Sequence, residues 1–295
     1  MANVSVLERI RRSEKASGLA MVSPTALYAI LLLAAPLVTV LLYSVLTDAS
    51  GRIEWVFTLS NYVKVWTSPI YQAIMVRSLT VSIAVTLVTV VVAYPIAYFV
   101  SFHVAPARKS IWLFLITIPF WTSYLIRVFL WKVILGYNGV VSSGLEITGI
   151  TSEPMSFMTN ATSAMIITLA HAYAPFAILP IFVSLEKIDR SLLEAGQDLG
   201  ESRLVTFIRV TLPLSMAGVV AATLIVFIPT IGDYVTPDLI GSGKFPMIAN
   251  AMEVQMLKLN QKALGSAIAV SAMLVVTIVS LAFLFANRRF LGAPK

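Results

Sequence analysis

The sequence predicts an all-α membrane protein of six transmembrane helices with both termini in the cytoplasm, and three observations predict it. The first is composition: of 295 residues, 58% are hydrophobic and 12% charged, with a mean hydropathy of +0.89. Soluble globular chains run near about 25% charged. The second is the length of the uncharged runs. A bilayer core of roughly 30 Å takes about 20 apolar residues of helix. Ala16 to Thr47, Ser78 to Ala107, Pro154 to Leu185, Val210 to Gly232 and Ala263 to Asn287 contain no Asp, Glu, Lys or Arg, and Ser110 to Leu135 is equally apolar but for Arg127 and Lys132. The third is the placing of the basic residues. With the N-terminus inside, thirteen Lys and Arg fall on cytoplasmic segments and six on outer ones, the asymmetry that orients membrane helices.

Taken in order, residues 1–22 form a cytoplasmic N-terminal segment and 23–295 a single membrane domain. Its spans are predicted at about 26–46, 78–102, 111–135, 164–185, 213–232 and 264–286, with a cytoplasmic loop at 186–212. The first apolar stretch, Ala26 to Leu46, outruns a signal-peptide core of roughly 7 to 15 residues and is expected to stay in the protein. The third span enters near Ile111, so Arg127 and Lys132 lie toward its outer end, where long side chains snorkel to the interface. Pro36, Pro95, Pro119, Pro175, Pro180 and Pro229 fall within spans and predict kinks, or broken helices lining a path.

Several chemistries are excluded. There is no Cys, hence no disulfide and no Cys-ligated metal. The only histidines are His103 and His171, with no HExxH motif. His171 has no acidic residue at i±3 or i±4, so it reads as a hydrogen-bonded core residue rather than a proton relay. Gly241-Ser242-Gly243-Lys244 is not a phosphate loop, because position 238 is Asp and position 245 is Phe, and it lacks the GxSxG pattern of a nucleophile elbow. The chain is thus expected to be no enzyme and to bind no cofactor or metal. The formal charge of +7 lies between apolar runs, which argues for topology and against nucleic acid.

The loop from Leu185 to Pro213 is the most informative segment. Asp189 is a predicted N-cap and Gly200 a predicted C′ residue, bracketing a helix from Arg190 to Leu199. Leu192, Ala195, Gly196 and Leu199 share one face, while Glu194, Gln197, Asp198 and Glu201 share the other. After the turn at Gly200 a second helix is expected from Ser202 to Thr211, stopping at Leu212 and Pro213. Amphipathicity alone fits an interfacial helix on the headgroups as well as a docking surface.

Glu194-Ala195-Gly196, then Gly200, then Val210 to Pro213 resembles the EAA motif of ABC importer permeases, EAAxxxG followed after nine residues by IxLP, with Gly196 and Val210 as departures. Phe57 to Tyr62, Pro119 to Thr122, Leu193 to Gly200, Gly232 to Val235 and Pro237 to Gly241 are similar to the spermidine/putrescine permeases. The Leu125-Ile126-Arg127 context and Ile248 to Asn250 with Val254-Gln255 look most like their B-type subunit. Permeases for opines, iron and phosphonates share much of this pattern, so those solutes stand as alternatives; a secondary transporter or an intramembrane enzyme is a remoter one. The resemblance implies a type I importer permease with the MetI-like fold, located in the bacterial inner membrane. It implies a second related permease subunit, a periplasmic solute-binding protein and a dimeric ABC ATPase that uses ATP and magnesium. Glu194, Ala195, Gly196, Asp198, Gly200 and Pro213 would form the ATPase-coupling loop. For a polyamine, carboxylates and aromatic rings along the path are wanted, and Trp121, Tyr124, Asp233, Tyr234, Asp238 and Glu253 are the candidates.

Overall fold

The computed structural model describes residues 14–49, 51–151 and 161–291. The basic residues expected on the first segment at Arg9, Arg11 and Arg12, and Lys295, lie outside the described residues. The chain runs through α1 (Glu14–Ser44), a short antiparallel hairpin of β1 (Thr47–Ala49) and β2 (Arg52–Glu54), α2 (Ser60–Thr67), α3 (Pro69–Phe102) and α4 (Pro106–Thr117). Then come α5 (Tyr124–Ile134), α6 (Val140–Ile147), α7 (Ala161–Glu186), α8 (Arg190–Asp198) and α9 (Arg203–Ile231). The last elements are α10 (Val235–Gly241), α11 (Ile248–Glu253), α12 (Lys262–Ala286) and α13 (Arg288–Leu291).

Five helices, within α1, α3, α7, α9 and α12, are long and apolar enough to cross a membrane. The third predicted span is not a single rod. Its two limbs, Pro106–Trp121 and Tyr124–Ile134, meet at 87°. Pro119 has no N–H to continue the ladder, the chain tightens into a 3₁₀ turn at Ile118–Trp121, and Thr122 and Ser123 are extended (ψ 151° and 134°). Counted as one span, this pair makes a sixth.

The expected stop at Pro213 is also corrected. The helix runs unbroken from Arg203 to Ile231, through a π-turn at Phe207–Thr211 in which the Leu212 N–H reaches back to the Phe207 carbonyl. Pro213 would otherwise clash with the carbonyl four residues earlier and leave it unbonded; the widened turn just before it absorbs that misfit. At the other end of the chain α3 starts at Pro69 rather than 78, so Arg77 lies on the helix, donating to the Pro246 carbonyl at 3.4 Å.

α3, α7 and α9 form the core. Val81, Val85, Ala93, Ala97 and Val100 of α3 meet Leu169, Ala177, Ile178, Ile181 and Leu185 of α7 and Ala222 and Val226 of α9, all buried. Apolar attraction does not distinguish a neighbour from lipid, so close backbone approach through small residues is what favours association here. Gly218 is the clearest case: a Cβ there would stand 2.5 Å from the Pro180 carbonyl oxygen. α1 leans on α12 and exposes its apolar side chains, Leu31, Leu32 and Leu33 among them, to the surroundings.

The β-hairpin ties this outer layer down. Asp48 Oδ2 accepts the Ala263 and Leu264 N–H groups at 2.8 and 3.3 Å, so a residue far away in sequence caps the first turn of α12. Asp48→Ala is expected to cost about 0.5 to 2 kcal/mol, read as a lowered melting temperature of the detergent-solubilised protein.

Candidate functional site

Two places concentrate polar groups with a possible role. At the first, Asp189 Oδ1 accepts the Ser191 N–H at 3.0 Å, the expected N-cap of α8. This bond holds the Asp189 carboxyl below the usual carboxylate range. The far end closes as a Schellman motif: Glu201 N–H bonds the Gly196 carbonyl at 3.1 Å, Gly200 N–H bonds Gln197 at 2.9 Å, and Gly200 takes φ +83°. Ser202 caps the start of α9 through Val205 N–H. The α8–α9 hairpin therefore rests on local signals.

Its packing departs from the expected face. Leu193 and Gly196 turn toward α9, where Gly196 lies against Thr206, and a Cβ at 196 would stand 3.2 Å from the Thr206 side chain. Glycine at the third motif position thus closes the hairpin on itself. Leu192 (47% exposed), Ala195 and Leu199 (85% exposed) form an open apolar stripe, and Glu194 and Asp198 are exposed beside it. Pro213 lies inside α9, beyond the π-turn, away from this stripe. Gly196→Val is expected to open the hairpin, read as faster proteolysis within 199–203.

The second place is the bend of the broken span. Tyr124, in the first turn of α5, donates its hydroxyl to Asp233 Oδ2 at 2.9 Å and lies 2.9 Å from Thr236 Oγ1. Asp233 follows α9 and is 7% exposed; its Oδ1 accepts the Val235 N–H at 3.1 Å, which starts α10. Burial pushes the Asp233 carboxyl up, and the bonds from Thr236, Tyr124 and Val235 oppose that rise. Asp233→Asn keeps the shape but removes the charge, and it is expected to lower transport more than Tyr124→Phe in the assembled transporter.

The structure brings Tyr124 and Asp233 together and leaves the other candidates apart. Trp121 is 78% exposed and touches Phe114 edge-on. Tyr234 exposes its ring while its carbonyl accepts from Asn250 at 2.8 Å. Asp238 is exposed on α10, and Glu253 pairs with Lys258 at 3.3 Å.

Arg127 is the residue most changed from expectation. It does not snorkel: it is 8% exposed, and its Nε and Nη1 have no hydrogen-bond partner. Its Cζ lies 5.9 Å from the ring centroids of Phe120 and Tyr124, within reach of cation–π attraction. His171 is hydrogen-bonded as expected, accepting from Trp131 Nε1 at 3.1 Å, but it is exposed rather than core. Thr236 and Trp131 carried no sequence signal of their own, and Asn250 carried one only through the resemblance. Among the described residues no group of His, Asp and Glu could hold a metal ion.

A bundle of apolar helices long enough to cross a membrane, with one bent pair and a capped hairpin between α7 and α9, defines a multi-pass membrane protein. Residues 78–291 match the family described as binding-protein-dependent transport system inner membrane component, and the chain belongs to that family. It is an inner-membrane permease subunit of an ABC importer. It is 34% identical to the spermidine/putrescine transport system permease protein PotB of Escherichia coli K12 over 241 residues, 82% of this chain and 86% of that one. The PotB of Haemophilus influenzae is 34% identical over 86% of this chain and 88% of its own. The inner membrane ABC transporter permease protein YdcU of E. coli K12 is 29% identical over 80% of this chain and 76% of its own. Among solved structures, a chain of a bacterial alginate ABC transporter, crystallised with an alginate pentasaccharide-bound periplasmic protein, shares the fold. Its TM-score is 0.72 at 17% identity, covering 98% of this chain and 99% of that chain.

Proposed function

We propose that this chain is one of two related permease subunits of an ATP-driven importer that carries polyamines, spermidine and putrescine, across the inner membrane. The observation that carries the substrate is the 34% identity to PotB along 82% of the chain. With six spans both termini share one side, the cytoplasm by the Lys and Arg asymmetry, and 186–212 is the cytoplasmic coupling loop. A dimeric ATPase that hydrolyses ATP with magnesium docks on this loop, and this chain itself binds no cofactor. The open stripe of Leu192, Ala195 and Leu199, rimmed by Glu194 and Asp198, supports that docking, because a rigid, capped helix with an uncovered apolar face suits a groove. Gly200 sets the turn that presents it, while Gly196 and Pro213 shape the hairpin and the start of α9. A soluble periplasmic binding protein delivers the solute to the outer loops. Closure of the ATPase pair draws the two coupling helices together and switches the path from inward-open to outward-open.

For the permeant cation, the Tyr124–Asp233 pair is the proposed contact, with Trp121, Tyr234, Asp238 and Glu253 as outlying ones. A buried carboxylate and an aromatic ring suit an ammonium group on a methylene chain. Uptake of labelled putrescine into vesicles holding the whole transporter tests the substrate: ATP-dependent uptake suppressed by unlabelled spermidine is expected. Binding-protein-stimulated ATP hydrolysis without any polyamine uptake would remove the substrate and leave the permease.

A further inference from the structure

The ends of three elements meet at one carboxylate, and a fourth joins them through a neighbouring carbonyl. Glu186, the last residue of α7, accepts Lys109 Nζ at 2.5 Å and the Ser101 hydroxyl at 2.6 Å on the same oxygen, Oε1. Lys109 lies in the first turns of α4, the inner limb of the broken span, and Ser101 near the end of α3. The Ser101 carbonyl in turn accepts Arg190 Nη2 at 3.2 Å, and Arg190 is the first residue of α8. Ser101 is buried and the Lys109 side chain is 12% exposed, whereas the cations of the other two ion pairs among the described residues are largely exposed; the Glu186 side chain itself is 35% exposed. Two bonds converging on one carboxylate oxygen, one of them charge-assisted and from a covered lysine, fix its position better than a single exposed pair does.

The placing of this cluster carries the argument. α8 has no buried residue, so little besides Arg190 and the hairpin fixes its base. α4 also has none; Leu113 and Ile116 pack against the core and Trp112 meets Phe99 edge-on, and Lys109 ties its first turns to Glu186. Beyond α4 lie the bend and Tyr124 of α5, which bonds Asp233. We infer that Glu186 is a positioning residue that links the base of α8 to α4, so that displacement of the coupling helix shifts the inner limb of the broken span and reaches the bend. Arg190 moves with α8, Ser101 relays its position, and Glu186 holds Lys109 to the same point. Coupling requires both ends to bias one element with two arrangements, and the inference assigns that role to the bend.

This inference rests on the ATPase-docking role proposed for α8, and the experiment separates the two. The chain has no Cys, so spin labels can be placed without removing native residues. One pair joins exposed Leu204 on the hairpin to exposed Phe285 at the inner end of α12; the other joins exposed Ile111 on α4 to Phe285. Distances are measured by pulsed electron resonance in the assembled transporter, with and without ATP and magnesium under non-hydrolysing conditions. In the wild type both distances are expected to change on nucleotide binding. In Glu186→Gln the Leu204 pair should still change while the Ile111 pair loses most of its shift, and the exchange Lys109→Glu with Glu186→Lys should restore it. A Glu186→Gln protein in which both pairs shift as in the wild type overturns the link and leaves the docking role standing. Loss of both shifts, or an exchange that restores nothing, also overturns it. No shift of either pair in the wild type removes the docking role as well.

Discussion

Gly218→Val is expected to separate α7 from α9 and to cause the largest loss of stability of any single substitution considered. The glycine faces backbone: a Cβ would stand 2.5 Å from the Pro180 carbonyl oxygen, 2.5 Å from Ser184 Cβ and 3.1 Å from Ile181 Cα. None of these is the free end of a flexible chain, so the helices themselves must move apart. The Gly218 N–H also donates to Ser184 Oγ at 3.3 Å, a contact that separation would stretch. Overpacking of a core costs typically about 1 to 3 kcal/mol, and Val adds two methyl groups beyond the first clash. Thermal unfolding of the detergent-solubilised protein should show Gly218→Ala already destabilised and Gly218→Val aggregating on extraction. Gly265→Ala supplies the contrast. There the nearest neighbour is the Met256 side chain, which can swing away, and a milder loss is expected. Equal effects at both glycines would show that the α7–α9 contact is not the tight one.

Ala195→Asp is expected to abolish ATP-driven uptake while the protein inserts and folds normally. Ala195 is exposed between Leu192 and Leu199 on the stripe of α8 and makes no contact that the folded chain needs. An unpaired carboxylate carried into an apolar groove costs several kcal/mol, and each 1.4 kcal/mol is about tenfold in affinity. Copurification of the ATPase should fall by about tenfold or more. Glu194→Lys reverses a charge at the rim and should lower copurification less, with a stronger dependence on salt. Full copurification with Ala195→Asp would place the ATPase contact elsewhere.

Much of the scaffold was legible in the sequence because a bilayer makes length and charge decisive. The fourth and sixth spans fall within a few residues of α7 and α12. The helix caps were equally readable, since Asp189 and Gly200 act through local backbone geometry that no tertiary contact overrides. The bend at Thr122 and Ser123 was not, because Pro119 announces a kink but not its angle, and Pro95 and Pro229 sit in helices that continue. Pro213 misled for the same reason: a π-turn absorbs it. The short helices α2, α6, α10 and α11 lie between spans, where neither length nor hydropathy marks them. At the bend, Tyr124 and Asp233 were each legible as candidates by residue type, yet their bond spans 109 positions and belongs to the fold. Arg127 near a predicted helix end suggested an interface; only the packing of Phe120 and Tyr124 around it shows a buried cation.

In the proposed function, hydrolysis in a separate ATPase drives polyamine import through this chain by way of α8. ATP hydrolysis and labelled putrescine uptake are measured in the same vesicles, with the binding protein present in or absent from the outer-face compartment, for wild type and Glu194→Lys. Uptake that requires ATP and the binding protein, and that falls with Glu194→Lys while the permease remains inserted, is the expected result. Putrescine uptake that proceeds without ATP, or that is unchanged in Glu194→Lys, would contradict the account.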